Sequence, residues 1–229
     1  MAGIMLLSGG LDSLVAAWAA REQHPPRLAL TFDYGQRAAP REVEAALCIA
    51  AEMGVDHRLV KLPWMSRLMP DALGNPAGDL ASADDASVWV PARNAVFISI
   101  AAAHAEALDC DTIVCGFNAE EAATFPDNSP EFVRRCNAML EFGTQNHPTV
   151  LSPTLDLTKP EIAALGVEIG APLHLSWSCY ADGDEHCWEC PSCRRLRAAL
   201  ESAALWDAWA EQRDAADGSL HRGGGRCPD

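Results

Sequence analysis

Ile4-Met5-Leu6-Leu7-Ser8-Gly9-Gly10-Leu11-Asp12-Ser13 is the stretch on which the reading of this chain turns. Residues 3–7 form a short apolar strand, Ser8-Gly9-Gly10 breaks it, and residues 12–23 have helical character. The glycines let backbone N–H groups turn inward without a Cβ clash, which makes an anion nest. The helix start adds its partial positive charge, and the Ser8 and Ser13 hydroxyls can donate to phosphate oxygens. No Gly-Lys-Ser/Thr follows at the Walker A spacing, and the G-x-G-x-x-G pattern of dinucleotide sites is absent. Asp12 either helps hold Mg²⁺ against phosphates or caps the helix.

Outward from this turn, strand and helix alternate. Residues 28–32 read as a second strand, 41–53 as a helix with Val43, Leu47 and Ala50 on one face, and 58–62 as a third strand ended by Pro63. Residues 63–87 show no period and read as a long loop or flap near the substrate. Val88-Trp89-Val90 leads into an Ala-rich helix over 94–108, a strand over 111–115 and a helix over 129–145. Thr158-Lys159-Pro160-Glu161 has capping-box spacing and opens another helix. A last helix is expected over 194–211. The fold class expected is α/β, Rossmann-like: a parallel sheet with helices on both faces and the ligand at the strands' carboxyl ends. The divisions expected are 1–172 for this domain, 173–213 for a metal-binding and helical extension, and 214–229 for a flexible tail.

Composition narrows the partners. The 229 residues are 49% hydrophobic and 21% charged, as in a globular protein. No run of about 18 apolar residues and no basic-then-apolar leader is present, so the expectation is a cytoplasmic protein with no membrane span. The formal charge is −15, and only two of the seventeen basic residues are lysines. That balance argues against a nucleic-acid partner, which a basic surface would serve.

Nine cysteines in such a chain suggest metal more than disulfides. Cys179, Cys187, Cys190 and Cys193 fall within fifteen residues, in overlapping C-x-x-C steps. Four thiolates suit one tetrahedral Zn²⁺ with no open position, hence a structural site. An iron–sulfur cluster or redox pair is the competitor. His174 and His186 are near but not needed.

Ser-Gly-Gly-x-Asp-Ser resembles the PP-loop of the ATP pyrophosphatases, which cradle the β,γ-pyrophosphate and leave the α-phosphorus open to attack. Further motifs are similar to those of the 7-cyano-7-deazaguanine synthase family: Phe32-Asp33-Tyr34-Gly35-Gln36-Arg37, Val90-Pro91-Ala92-Arg93-Asn94, Gly116-Phe117-Asn118, Phe125-Pro126-Asp127, Lys159-Pro160-Glu161-Ile162 and Ser176-Trp177-Ser178-Cys179-Tyr180. The resemblance runs to about Arg197 and implies an ATP-dependent, AMP-forming C–N ligase of queuosine or archaeosine precursor synthesis. ATP adenylates the carboxylate of 7-carboxy-7-deazaguanine, and ammonia displaces AMP to give the amide. A second ATP activates the amide oxygen, and AMP leaves to give the nitrile. ATP would enter with Mg²⁺, one structural Zn²⁺ would be held per chain, and the assembly would be a homodimer.

The same resemblance implies roles by position. Ser8, Asp12, Ser13, Arg93 and Lys159 would be catalytic. The nucleotide would touch Leu7, Ser8, Gly9, Gly10, Leu11, Asp12, Ser13 and Leu14, with Phe32, Tyr34, Gln36 and Arg37. The purine-like acid would meet Arg93, Asn94, Gly116, Asn118, Glu121, Phe125, Asp127 and Tyr180. Simpler readings stand beside these: Lys159 as an exposed first-turn residue, Arg37 and Arg93 as ion-pair partners, Phe32 and Tyr34 as core, and Glu120 and Glu121 as a solvated helix start.

The chain also departs from the family pattern. Ala38 stands where a His is usual, and Phe125-Pro126-Asp127-Asn128-Ser129 replaces Tyr-Pro-Asp-Cys-Arg. The Gly-x-Asn-x-x-Asp pattern ends in Glu121. These changes fall where the second substrate would be read, which leaves room for a paralogue that stops at an amide or uses another amine, even a protein N-terminus. A tRNA-thiolating enzyme and a non-catalytic nucleotide sensor are the remaining alternatives.

Overall fold

The computed structural model describes residues 2–69, 73, 88–181 and 183–220, the last six in backbone alone. Five parallel strands form one sheet: β1 (Gly3–Leu6), β2 (Pro26–Asp33), β3 (His57–Lys61), β4 (Thr112–Val114) and β5 (Thr149–Leu151), in the order β3-β2-β1-β4-β5. The chain first winds outward from β1 to β3, then returns to the other side of β1. The topology therefore reverses between β1 and β4, which opens a crevice at their carboxyl ends.

Side chains alternate across the sheet, as the two-residue period of a strand requires. Ile4, Leu28, Leu30, Phe32 and Ile113 face one layer, where α3 (Arg93–Ala107) contributes Ile98, Ala101 and Ala105 and α5 (Pro130–Gly143) contributes Val133 and Leu140. Met5, Ala29 and Val114 face the other layer. There they meet α1 (Leu11–Ala20), α2 (Ala39–Glu52) and α6 (Lys159–Glu168) through Leu14, Ile49 and Ile162. A short α4 (Ala119–Thr124) lies between β4 and α5. Helices α7 (Pro191–Ser202) and α8 (Trp206–Leu220) add Leu196, Leu200 and Trp209 to the second layer, so the extension shares a core with β1. Among the described residues no helix is long and apolar enough to cross a membrane.

Several expectations need correction. The helix expected over 194–211 is two helices. Ala204 takes a left-handed φ of 56°, Leu205 N–H donates to Leu200 O at 2.8 Å, and Ala204 N–H donates to Glu201 O at 3.0 Å. This is a Schellman stop, and its left-handed position holds Ala instead of the usual Gly. In α2 the buried stripe is Ala46, Ile49 and Ala50, while Leu47 is 43% exposed. Strand β5, three residues long, was not expected, and the six-residue helix α4 has Glu120 and Glu121 in its first turn, where the simpler reading put a helix start. Within the expected flap, Pro63–Leu68 forms a 3-10 helix and Leu73 enters the core. Residues 70–72 and 74–87 of that segment lie outside the described residues, as do 221–229 of the expected tail. Helix α8 itself continues to Leu220. The capping box at Thr158 and Glu161 opens α6 as its spacing predicts.

Candidate functional site

The turn after β1 is held from several directions. Leu7 N–H continues the ladder to Leu30 O at 2.9 Å, and Thr31 Oγ1 donates to Leu7 O at 2.7 Å. Gly9 has φ +80°, and a Cβ there would stand 2.5 Å from Glu42 O, so the turn requires glycine. Ser8 and Ser13 hydroxyls lie 3.0 Å apart, Ser8 N–H donates to Ser13 Oγ, and Gly10 N–H donates to Ser8 Oγ at 3.3 Å. Gly10 is the N-cap of α1 and offers no side-chain acceptor to the helix. The first N–H groups of α1 thus have the unmet hydrogen-bonding capacity that an anion can fill.

A charged cluster adjoins this loop. Lys159 Nζ donates to Asp12 Oδ2 at 2.5 Å and lies 3.2 Å from Glu121 Oε1. Asn118 Nδ2 also donates to Asp12 Oδ2, at 3.2 Å, while Asn118 Oδ1 caps α4 by accepting from Glu121 N–H at 2.8 Å. Asp12 Oδ1 is buried without a hydrogen-bond partner. Burial raises the Asp12 carboxyl above its ordinary value, against the pull of Lys159. Glu121 moves the opposite way. Burial would raise it, but Lys159 and then Arg93 outweigh that and hold it below its ordinary value. Burial would likewise lower the Lys159 ammonium, and Asp12 and Glu121 reverse it to a net rise. The two carboxylates share one ammonium, and the more enclosed Asp12 keeps the larger desolvation penalty. Glu120 accepts from the Lys159 N–H at 2.8 Å and so ties α4 to the start of α6.

A cavity of about 270 Å³ opens at the carboxyl ends of β1, β2 and β4. Its loop side is formed by Leu7, Ser8, Gly10, Leu11, Asp12 and Ser13. From β2 and the turn after it come Phe32, Tyr34, Gln36 and Arg37, and from α3 Arg93 and Asn94. The far side holds Gly116, Glu121, Phe125, Asp127, Lys159 and Tyr180. Three residues expected at the ligand do not line it: Gly9, Leu14 and Asn118. Leu14 is fully buried in the core against β1, and Asn118 is fully buried as cap and brace for Asp12.

Other expected residues line the cavity with their side chains already engaged. Gln36 Oε1 accepts from Tyr34 N–H, and its Nε2 donates to Phe32 O and to Glu42 Oε2 at 2.7 Å, so it stiffens the turn. Phe32 stacks on Phe97 with centroids 4.0 Å apart, which makes it core. Arg93 Nη1 donates to the Tyr34 hydroxyl at 3.3 Å, and its guanidinium faces Asp127 and Glu121. Burial raises the Asp127 carboxyl, while Arg93 counters it. Asn94 Nδ2 donates to Asp127 O, and Asn128 Nδ2 donates to Asp127 Oδ1. Sequence reasoning gave no site role to Glu42, Trp89, Phe97, Ser178, Ser192 or Arg195, which also line the cavity. Trp89 stacks on Phe125 at 5.9 Å.

The sulfur atoms of Cys179, Cys187, Cys190 and Cys193 lie within 4.8 Å of one another and could hold a metal ion. Backbone N–H groups donate to three of these sulfurs: Ala181 and Cys187 to Cys179, Cys190 to Cys187, and Cys193 to Cys190. Such donors stabilise thiolate charge. His186 is not part of the cluster. Its Nε2 accepts from Ser178 N–H at 3.2 Å, and its ring lies between Trp177 and Trp188. Burial, with Arg213 adding to it, holds this imidazole neutral, with its pKa down at about 3.

A family model described as queuosine biosynthesis protein QueC matches residues 2–204. The 7-cyano-7-deazaguanine synthase of Bdellovibrio bacteriovorus is 46% identical over 216 residues, 88% of this chain and 94% of that one. The enzyme of the same name from Pelotomaculum thermopropionicum is 46% identical over 218 residues, 90% and 99% of the two chains. That of Methanosarcina barkeri is 41% identical over 228 residues, 93% and 99%. Since the matched residues run from β1 through α7, and so take in the phosphate loop and all four clustered cysteines, the chain belongs to the QueC family of queuosine biosynthesis proteins.

Proposed function

We propose that this chain converts 7-carboxy-7-deazaguanine and ammonia to 7-cyano-7-deazaguanine with two ATP molecules. The observation that carries the reading is one cavity at the β1/β4 reversal in which the anion-binding turn meets the Asp12–Lys159–Glu121 cluster. In the first half, a substrate carboxylate oxygen attacks the α-phosphorus of ATP and pyrophosphate leaves. Ammonia adds to the acyl carbon, AMP departs, and a proton is lost to give the amide. In the second half the amide oxygen attacks a second α-phosphorus, pyrophosphate leaves and the nitrogen loses a proton. Loss of AMP and a proton from the adenylated amide leaves the C≡N bond.

In this reading Ser8, Gly10, Ser13 and the first N–H groups of α1 hold the departing pyrophosphate. Lys159 neutralises charge that develops on the phosphates. Arg93 takes the substrate carboxylate, and Asp127, braced by Asn128, takes donors on the edge of the deazapurine. The orphaned Asp12 Oδ1 suits a hard cation, and Mg²⁺ bound there would neutralise polyphosphate charge. The four sulfurs include no oxygen or nitrogen donor, which suits one structural Zn²⁺. Incubation with ATP, ammonium and the carboxy-deazaguanine should give the nitrile with two AMP per product. One AMP and an accumulating amide would instead identify an amide-forming paralogue, and no consumption of the acid would refute the reading.

A further inference from the structure

A backbone hydrogen bond joins the cysteine lobe to the phosphate loop. Trp177 N–H donates to Gly9 O at 2.8 Å. In a planar trans peptide the C=O and the following N–H point in opposite directions. Fixing the Gly9 carbonyl toward Trp177 therefore aims the Gly10 N–H the other way, toward Ser8 Oγ and into the anion nest. Glycine on both sides of this peptide makes a flip easy unless something holds it. A flipped peptide would present a carbonyl dipole to the phosphates in place of a donor.

Trp177 is in turn fastened to the metal-binding backbone. Its indole Nε1–H donates to the carbonyl of Cys179 at 2.9 Å, and the ring is 3% exposed. His186 lies against one side of it with centroids 4.5 Å apart. Arg213 of α8 places its guanidinium 5.5 Å from the ring centroid and donates to Ser176 O at 2.9 Å, fixing the residue just before it. One short path thus runs from Cys179 through Trp177 to Gly9 and Gly10.

We propose that Trp177 is a positioning residue that couples the four-cysteine metal loop to the phosphate loop, so that metal and nucleotide strengthen each other's binding. The proposal rests on the zinc reading given above. Coupling of this kind is reciprocal: if zinc improves ATP affinity by some factor, ATP improves zinc affinity by the same factor.

The test measures zinc affinity by competition with a chromophoric chelator, with and without ATP in excess magnesium. Elemental analysis of the purified chain comes first. In the wild-type chain ATP should raise the zinc affinity about fivefold or more, the lower end of typical coupling. Trp177→Phe removes the indole N–H together with the five-membered part of the ring, and keeps the backbone N–H that donates to Gly9 O. It should lose most of that increment and raise the KM for ATP about fivefold, with a smaller change in kcat, as expected for one buried hydrogen bond. Zinc present with no ATP-dependent increment in the wild type would overturn the coupling, whatever the variant does. An equal increment in Trp177→Phe would remove Trp177 from it. A purified chain without zinc would sink the metal reading, and the coupling with it.

Discussion

Gly116 follows β4 and lies against the start of α1. A Cβ on this residue would lie 2.5 Å from Ser13 N, 2.6 Å from Ser13 Cα and 2.7 Å from Asp12 C. All three atoms are backbone, so no side chain can swing away. The two segments must part by about 0.9 Å before ordinary contact is reached at 3.4 Å. Overpacking of this kind costs about 1–3 kcal/mol. At about 2–4 °C per kcal/mol for a chain of this size, Gly116→Ala should melt several degrees lower. The functional effect should be larger, because the displaced atoms belong to Asp12 and Ser13 of the phosphate loop. A misplacement of about 1 Å at a reacting centre costs on the order of 100-fold in rate. The assay is AMP release with ATP, ammonium and the carboxy-deazaguanine, beside a thermal melt. Gly143→Ala is the control, since a Cβ there meets nothing within 4 Å. If Gly116→Ala kept kcat and KM within about twofold of the parent chain, the claim that this approach sets the loop's geometry would be wrong.

Other substitutions test separate parts of the site. Asp12→Ala should abolish AMP formation while the fold is kept, read by activity and circular dichroism; measurable turnover would remove Asp12 from the proposed machinery. Lys159→Met leaves Asp12 and Glu121 facing each other and should cost about 3–5 kcal/mol at neutral pH, as for other broken buried pairs. The pH dependence has a definite sign. Glu121 is held below its ordinary 4.5, so its contribution is complete above that value and is lost as pH falls through its lower folded-state value. The deficit of Lys159→Met relative to the parent should therefore shrink on acidification below about pH 4.5, and denaturant melts showing a constant deficit would contradict the pairing. Cys190→Ser should lose metal and solubility together, because metal binding is coupled to folding; retained full metal content would contradict the four-sulfur cluster.

The parts of the site that were legible in the sequence are those built from neighbours. Ser8 to Ser13 carry strand end, turn and helix start in one run, and four cysteines within fifteen residues announce their own cluster. The parts that were not legible depend on distant segments. Asn118 looked like a ligand reader, yet it braces Asp12 across 106 positions of sequence and caps α4. Glu42, Trp89 and Arg195 reach the cavity only because α2, the segment before α3, and α7 pack around the same crevice. The break between α7 and α8 went unseen because Ala204 occupies a backbone region where glycine is the usual signal. Leu47 was placed on the buried face because hydrophobicity alone cannot fix a helix's rotation when alanines supply most of the contact.

The position of β1 has a consequence for how the protein is made. Of the five strands it is the first to leave the ribosome, yet it lies at the centre of the sheet. One of its edges pairs with β2 soon after, but the other must wait for Thr112–Val114 to emerge. Its second face is covered in part by Leu196, Leu200 and Trp209, which are made after all five strands. Until β4 emerges the nascent chain therefore carries an apolar strand with an open edge, a form prone to pairing with other chains. Ribosome-bound chains halted before and after β4 should differ sharply in protease resistance, with the second gain coming only once α8 has cleared the exit tunnel.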